Sequence, residues 1–140
     1  MRIGGQLQSV AVGNPSAGAN FSTTVPAGVV WRLVSLTVQM VTSAVVANRG
    51  MRLAVQDAGG NVLIRTAPNF LVPASSTVIY TAGAGMPAGN LHPTGTQIVA
   101  MPLPQEVYML PNYLIASSVN AQDVGDQLSA IVLAVEAWVV

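Results

Sequence analysis

Side chains able to do acid–base or nucleophilic chemistry are scarce in this chain: one histidine, His92, no cysteine, and the carboxylates Asp57, Glu106, Asp123, Asp126 and Glu136. A hydrolytic triad needs a nucleophile, a base and an orienting acid in mutual hydrogen-bond reach. His92 with Ser75 or Ser76 is a combinatorial possibility only, and beside Pro93 the histidine reads as a loop residue. A histidine-based metal centre would need carboxylate partners, and none is near His92 in sequence. Asn120, Asp123 and Asp126 in SVNAQDVGDQL gather oxygens of the kind Ca²⁺ takes, but the EF-hand spacing and its bidentate glutamate are missing, and the segment reads as a turn. The run GAGMPAG at 83–89 departs from G-x-G-x-x-G, and its proline removes a donor N–H. The expectation is a protein that is not an enzyme and takes no cofactor and no metal.

What remains is contact chemistry. Trp31, Trp138, Tyr80, Tyr108 and Tyr113 could stack on a sugar, but beside strand-like runs such aromatics read as core or interface. Only 7% of residues are charged, against roughly 25% in ordinary soluble proteins. The formal net charge is zero, which leaves little electrostatic protection against association. Surface reserved for protein contacts, in a homo-oligomer or a shell, is the reading that follows. All five basic residues are arginines, Arg2, Arg32, Arg49, Arg52 and Arg65, and they form no stripe that could offset phosphates. Direct nucleic-acid binding is therefore not expected. The N-terminal MRIGGQLQSVAVG has no apolar core of signal-peptide length, and AIVLAVEAWVV at 130–140 is too short to span a bilayer and contains Glu136, so no membrane partner is expected.

The elements that must position these contacts read as strands. Short β-branched runs broken by Gly, Pro and Asn fall near 6–12, 19–25, 29–42, 49–57, 61–67, 76–82, 96–101, 113–119 and 128–139. That many strands in 140 residues make one all-β domain, a sandwich or a barrel. Residues 51–66 are the clearest hairpin: Met51, Leu53 and Val55 alternate with Arg52, Ala54 and Gln56, and DAGGN supplies the reversal. Two runs look apolar on both faces. In 29–42, Val34, Leu36, Val38 and Met40 share one parity while Trp31, Leu33 and Val41 share the other. In 128–140, Ile131, Leu133 and Val135 oppose Val132, Trp138 and Val140. Strands apolar on both faces are covered on both, which points to an arm or a sister subunit as the second cover. The first twenty residues read as an extended segment with few core positions, and 81–96, TAGAGMPAGNLHPTGT, as a long Gly/Pro loop.

The segment VPAGVVWRLVSLTVQMVTSAVVANRGMRLAVQDAGGNVLIRT at 25–66 resembles a family of small tailed-bacteriophage virion proteins. The shared features are a VPAG-x-x-W-R-L-x-S turn and strand, a T-S-A-x-V-A-N-R loop and a D-x-x-G-N-V hairpin, in that order over about a third of the chain. The resemblance implies a β-sandwich structural protein of the particle. Capsid decoration (cement) proteins that trimerise on the shell are common among phage proteins of this size and β-content.

The expected architecture is accordingly a single-domain antiparallel β-sandwich, jelly-roll-like, over 21–140, with 1–20 an extended N-terminal arm. The expected function is capsid decoration: a homo-oligomer, as a trimer, on the outer surface of the virion, stabilising the lattice of its partner, the major capsid protein, after synthesis in the bacterial cytoplasm. Exposure logic places the contacts at Arg2, Ile3 and Leu7 in the arm, at Trp31, Arg32, Arg49 and Trp138, and in the loop from Met86 to His92. The competing expectation is a head-fibre, tail or baseplate module that binds host-surface carbohydrate through Trp or Tyr.

Overall fold

The computed structural model describes residues 4–92 and 95–140; the side chain of His92 lies outside that description. Among the described residues there are strands and turns and no helix. The strands are β1 (Gln6–Val12), β2 (Ser22–Thr24), β3 (Val29–Val41), β4 (Gly50–Gln56), β5 (Val62–Thr66), β6 (Thr77–Ala84), β7 (Gly89–His92), β8 (Gln97–Leu103), β9 (Val107–Met109), β10 (Leu114–Asn120) and β11 (Gln127–Val139). A large sheet runs β1-β11-β3-β6-β8-β7, with β9 also paired to β3, and a small sheet runs β2-β10-β4-β5. The two pack in a sandwich-like arrangement around Leu36, Val38, Met40, Leu53, Ile115, Leu128 and Leu133, all essentially excluded from solvent.

The 51–66 hairpin forms as its alternation requires, with Met51, Leu53 and Val55 turned into the core. Asp57 shapes its turn. Oδ1 accepts the N–H groups of Gly59 and Asn61, each at 2.9 Å, and Gly60 takes the left-handed φ of 84° that a side chain would resist. The hydrogen bond from the Asn61 side chain, then those from nearby backbone N–H groups, hold the Asp57 carboxyl below its ordinary range.

The two-faced reading of 29–42 is corrected by a bulge, whereas in 128–140 Val132 and Trp138 do lie on the face opposite Ile131, Leu133 and Val135. Along the β3–β11 ladder, Ala134 faces Ser35 and Val135 faces Leu33, so Val34 is an extra residue on β3. A bulge sets two residues against one and so shifts the phase of the alternation. Trp31 and Leu33 therefore point inward along with Leu36, Val38 and Met40, although their parity differs. On β11, Ser129 faces Gln39 and Val132 faces Thr37, which makes Ala130, at φ 50°, the extra residue. Leu128 then shares the inner face with Ile131, Leu133 and Val135. The back of β3 carries half-buried Ser35, Thr37 and Gln39, whereas the back of β11 presents Val132 and Trp138 beside Ala134 and Glu136.

Three further departures concern connections. The 81–96 segment contains the end of β6 and the whole of β7. β8 lies parallel to β6, in step from Val78↔Gln97 to Ala84↔Leu103, so the sheet is not purely antiparallel. The 85–96 connection is long enough for the crossover that parallel pairing demands. β9 also lay outside the expected set; it completes the edge of β3 that β6 leaves open, pairing Trp31–Leu33.

Tyr80 sits at the centre of the large sheet between Val38 and Val99, wholly buried, and its Oη has no hydrogen-bond partner among the described residues. Burial alone pushes the phenol pKa far above its ordinary value. A buried hydroxyl without a partner costs about 1–3 kcal/mol. Tyr80→Phe is expected to leave stability unchanged or raise it by about 1 kcal/mol in urea denaturation, and a loss above that size would mean the hydroxyl has a partner.

Candidate functional site

Strand parity and register assemble one row of side chains across the outer face of the large sheet. On β11, Glu136 is out of phase with the inward Leu133 and Val135, so it faces away from the core. Its neighbour on β1 is Leu7, its neighbour on β3 is Arg32, and Arg32 in turn faces Tyr108 on β9. Leu7, Glu136, Arg32 and Tyr108 thus stand side by side on four strands. The Arg32 Nη2 lies 2.8 Å from Glu136 Oε2, and Nε donates to the same oxygen at 2.9 Å. That hydrogen bond, more than the charge itself, raises the Arg32 pKa further above its ordinary value.

Trp138, two residues along β11, extends the row into a patch. Its ring centroid lies 6.1 Å from that of Tyr108, tilted at 40°. Gly5 gives the ring its room: a Cβ there would come within 2.6 Å of Trp138 Cε2 and 2.5 Å of Glu136 Cγ. Leu7 is 73% exposed and Tyr108 48%, so the patch is apolar, aromatic and accessible around one ion pair. Arg, Trp and Tyr dominate the energetics of protein interfaces because each joins a large contact area to a polar handle.

A second constellation lies at one end of the sandwich and is internal. Arg49 and Asp126 are fully buried. The guanidinium donates from Nε to Asp126 Oδ2 at 3.0 Å and from Nη2 to Oδ1 at 3.1 Å, and also to Ala47 O and Ser43 Oγ. Asp126 accepts two more bonds, from the N–H of Ser43 and of Asp123, each at 2.8 Å. The backbone of Arg49 pairs with Val72 in both directions. This clasp ties together three connections, and above it Val45, Val46, Leu71 and Val124 stand exposed. On the small sheet, Arg52 and Arg65 border an open depression of about 280 Å³, with Arg52 donating to Ser118 Oγ at 3.1 Å.

The structure therefore brings Leu7, Arg32 and Trp138 together and separates the other expected contacts from them. Trp31 is only 4% exposed, turned inward by the β3 bulge, and offers no surface to a partner. Arg49 likewise faces inward, its charge matched by Asp126. Met86 is half-buried and folds back over Gly83, where a Cβ would meet its Cε at 3.1 Å. Arg2, Ile3 and the His92 side chain lie outside the described residues. Asp126, weighed as an oxygen ligand for a cation, has both carboxylate oxygens engaged by donors. Tyr108 and Glu136 were missed as members of the site. Glu136 carried the one available signal, a carboxylate set in an otherwise apolar strand. No protein family matches the chain, and neither a curated protein nor a solved structure does.

Proposed function

We propose that this chain is a structural protein of a tailed-phage virion, a capsid decoration protein of jelly-roll-like design that binds the major capsid protein from outside and stabilises its lattice. The observation that carries the reading is the Leu7–Glu136–Arg32–Tyr108 row with Trp138 beside it, a protein-contact composition displayed on the outer sheet face. The 25–66 resemblance supplies the particle, and the 7% charge content supports an assembling subunit, a homotrimer by the same resemblance. The expected arm over 1–20 is not carried into this reading, because β1 docks along its length on β11 of the same chain. A protein that binds the assembled lattice and not its separate subunits shifts the equilibrium toward the closed shell, and repetition over the lattice multiplies weak contacts.

The test is co-sedimentation of the purified chain with expanded heads built from the major capsid protein of the same genome. Saturable binding is expected, weakened at least about thirtyfold by Arg32→Glu or Trp138→Ala, the size of a hot-spot loss, and unchanged by Leu63→Ala on the far sheet. Failure of the unaltered chain to bind heads would overturn the reading. Trp138-dependent binding to a glycan array in its place would establish the fibre or tail alternative.

A further inference from the structure

An edge strand exposes unpaired N–H and C=O groups that another strand can take up, and folded proteins commonly protect such edges with short length, charge, proline or bulges. Of the five sheet edges among the described residues, four are protected, the free side of β9 by its length of three residues. β2 has three residues; β7 has four and an irregular register against β8. β5 has five residues, carries exposed Arg65, and pairs through a bulge between Val55 and Gln56. β1 is different. Its seven residues, QLQSVAV, stay in step with β11 over all seven pairs, from Gln6↔Ala137 to Val12↔Ile131. They include no proline, and no charged residue occurs anywhere in 3–31. Most of the strand is exposed, Val10 and Val12 being the half-buried exceptions, and among the described residues no strand pairs with its free side.

We infer that the free edge of β1 is an association surface whose occupant is the β1 strand of a second copy, paired antiparallel about a two-fold axis at Ser9. The occupant must be an extended strand, because only another backbone satisfies a row of alternating donors and acceptors. It is a second β1 because a head-to-tail contact would need a second open edge on each chain, and the other edges are protected. Centring the axis on Ser9 uses the full strand: Gln6 faces Val12, Leu7 faces Ala11, Gln8 faces Val10 and Ser9 faces itself. On the outer face the large Leu7 thus meets the small Ala11, and like charges never meet. The contact joins the large sheets of both copies and brings their Leu7–Trp138 patches onto one continuous surface. It rests on the self-association part of the proposed function and deepens it, and it is compatible with a three-fold contact through another face.

The chain has no cysteine, so a single introduced thiol can bridge only between copies. Directly opposed residues in an antiparallel pair have Cβ atoms roughly 4.5–5.5 Å apart, close enough for a modest shift to allow a disulfide. Ser9→Cys, at an exposed position, is expected to oxidise nearly completely to a covalent dimer, whereas Leu63→Cys on β5 stays largely uncrosslinked. Ala11→Lys, which sets an edge charge against Leu7 of the other copy, is expected to halve the mass that light scattering gives for the unaltered chain. The inference is overturned if the unaltered chain is a monomer at high micromolar concentration, if Ser9→Cys crosslinks no better than Leu63→Cys, or if Ala11→Lys leaves the mass unchanged. Efficient Ser9→Cys crosslinking in a chain that does not bind heads would remove the capsid reading and leave the β1 pairing standing.

Discussion

Arg49→Ala is expected to destabilise the fold by about 3–5 kcal/mol, the cost of removing one partner from a buried ion pair, because Asp126 stays buried with no counterion. Asp126→Asn is expected to fall in the same range, since it leaves the guanidinium buried and uncompensated. Arg49→Met combined with Asp126→Leu is expected to cost less than either single change, because burial of the charges disappears with the charges themselves. Urea titrations of the three variants decide this, and single-variant losses below about 1 kcal/mol would mean that the clasp is exposed in solution.

The same clasp sets an acid limb of stability. Burial alone would raise the Asp126 pKa, but hydrogen bonds from Arg49 and from the N–H groups of Asp123 and Ser43, with the Arg49 charge, outweigh it and hold the value below the ordinary 3.8. The folded pKa is thus lower than the unfolded one, so the unfolded chain takes up the proton first as acid is added. The stabilisation is complete above the unfolded pKa and is lost as pH falls through the folded one. Asp57 and Asp123 are also held low, by hydrogen bonds from Asn61 and Gly125 first, and they remain in Asp126→Asn. That variant is expected to show a shallower acid limb than the unaltered protein.

Leu33→Ala and Leu36→Ala are each expected to cost about 2–5 kcal/mol, whereas Val34→Ala between them costs less than about 1 kcal/mol. Leu36 faces Leu133 on one side and Ala82 on the other, with no exposure, so truncation leaves a cavity that the flanking strands cannot close. Leu33 faces Val135 in the same layer, and Val34 is the half-buried bulge residue. A strand of unbroken alternation cannot bury both leucines and spare the valine. Thermal and urea denaturation of the three variants therefore tests the phase shift itself, and a Val34→Ala cost equal to that of Leu36→Ala would abolish it.

Much of the fold was legible in the residues. Hydrophobic alternation in 51–66 and the DAGGN reversal determine the hairpin locally, because both the face and the turn depend on neighbours in sequence. Strand positions were legible for the same reason: β-branched runs end where Gly, Pro and Asn admit the turns. The absence of a local catalytic or metal-binding motif, the low charge and the lack of cysteine were equally the property of the sequence alone. Tertiary structure decided what depends on distant partners. Arg49 and Asp126 are 77 positions apart, and only the meeting of three connections shows that they spend their charges on each other. The bulge at Val34 turns Trp31 and Leu33 onto the inner face of β3, and that at Ala130 brings Leu128 into phase with Ile131, since a phase shift is set by the opposing strand's register. β8 lies parallel to β6 because of how the 85–96 connection crosses, which no local pattern encodes. Leu7, Glu136, Arg32 and Tyr108 form a row for the same reason: Arg32 shares the parity of inward Leu36 and is turned outward only by the Val34 bulge, and the adjacency of all four was set by hydrogen bonding between strands far apart in the chain.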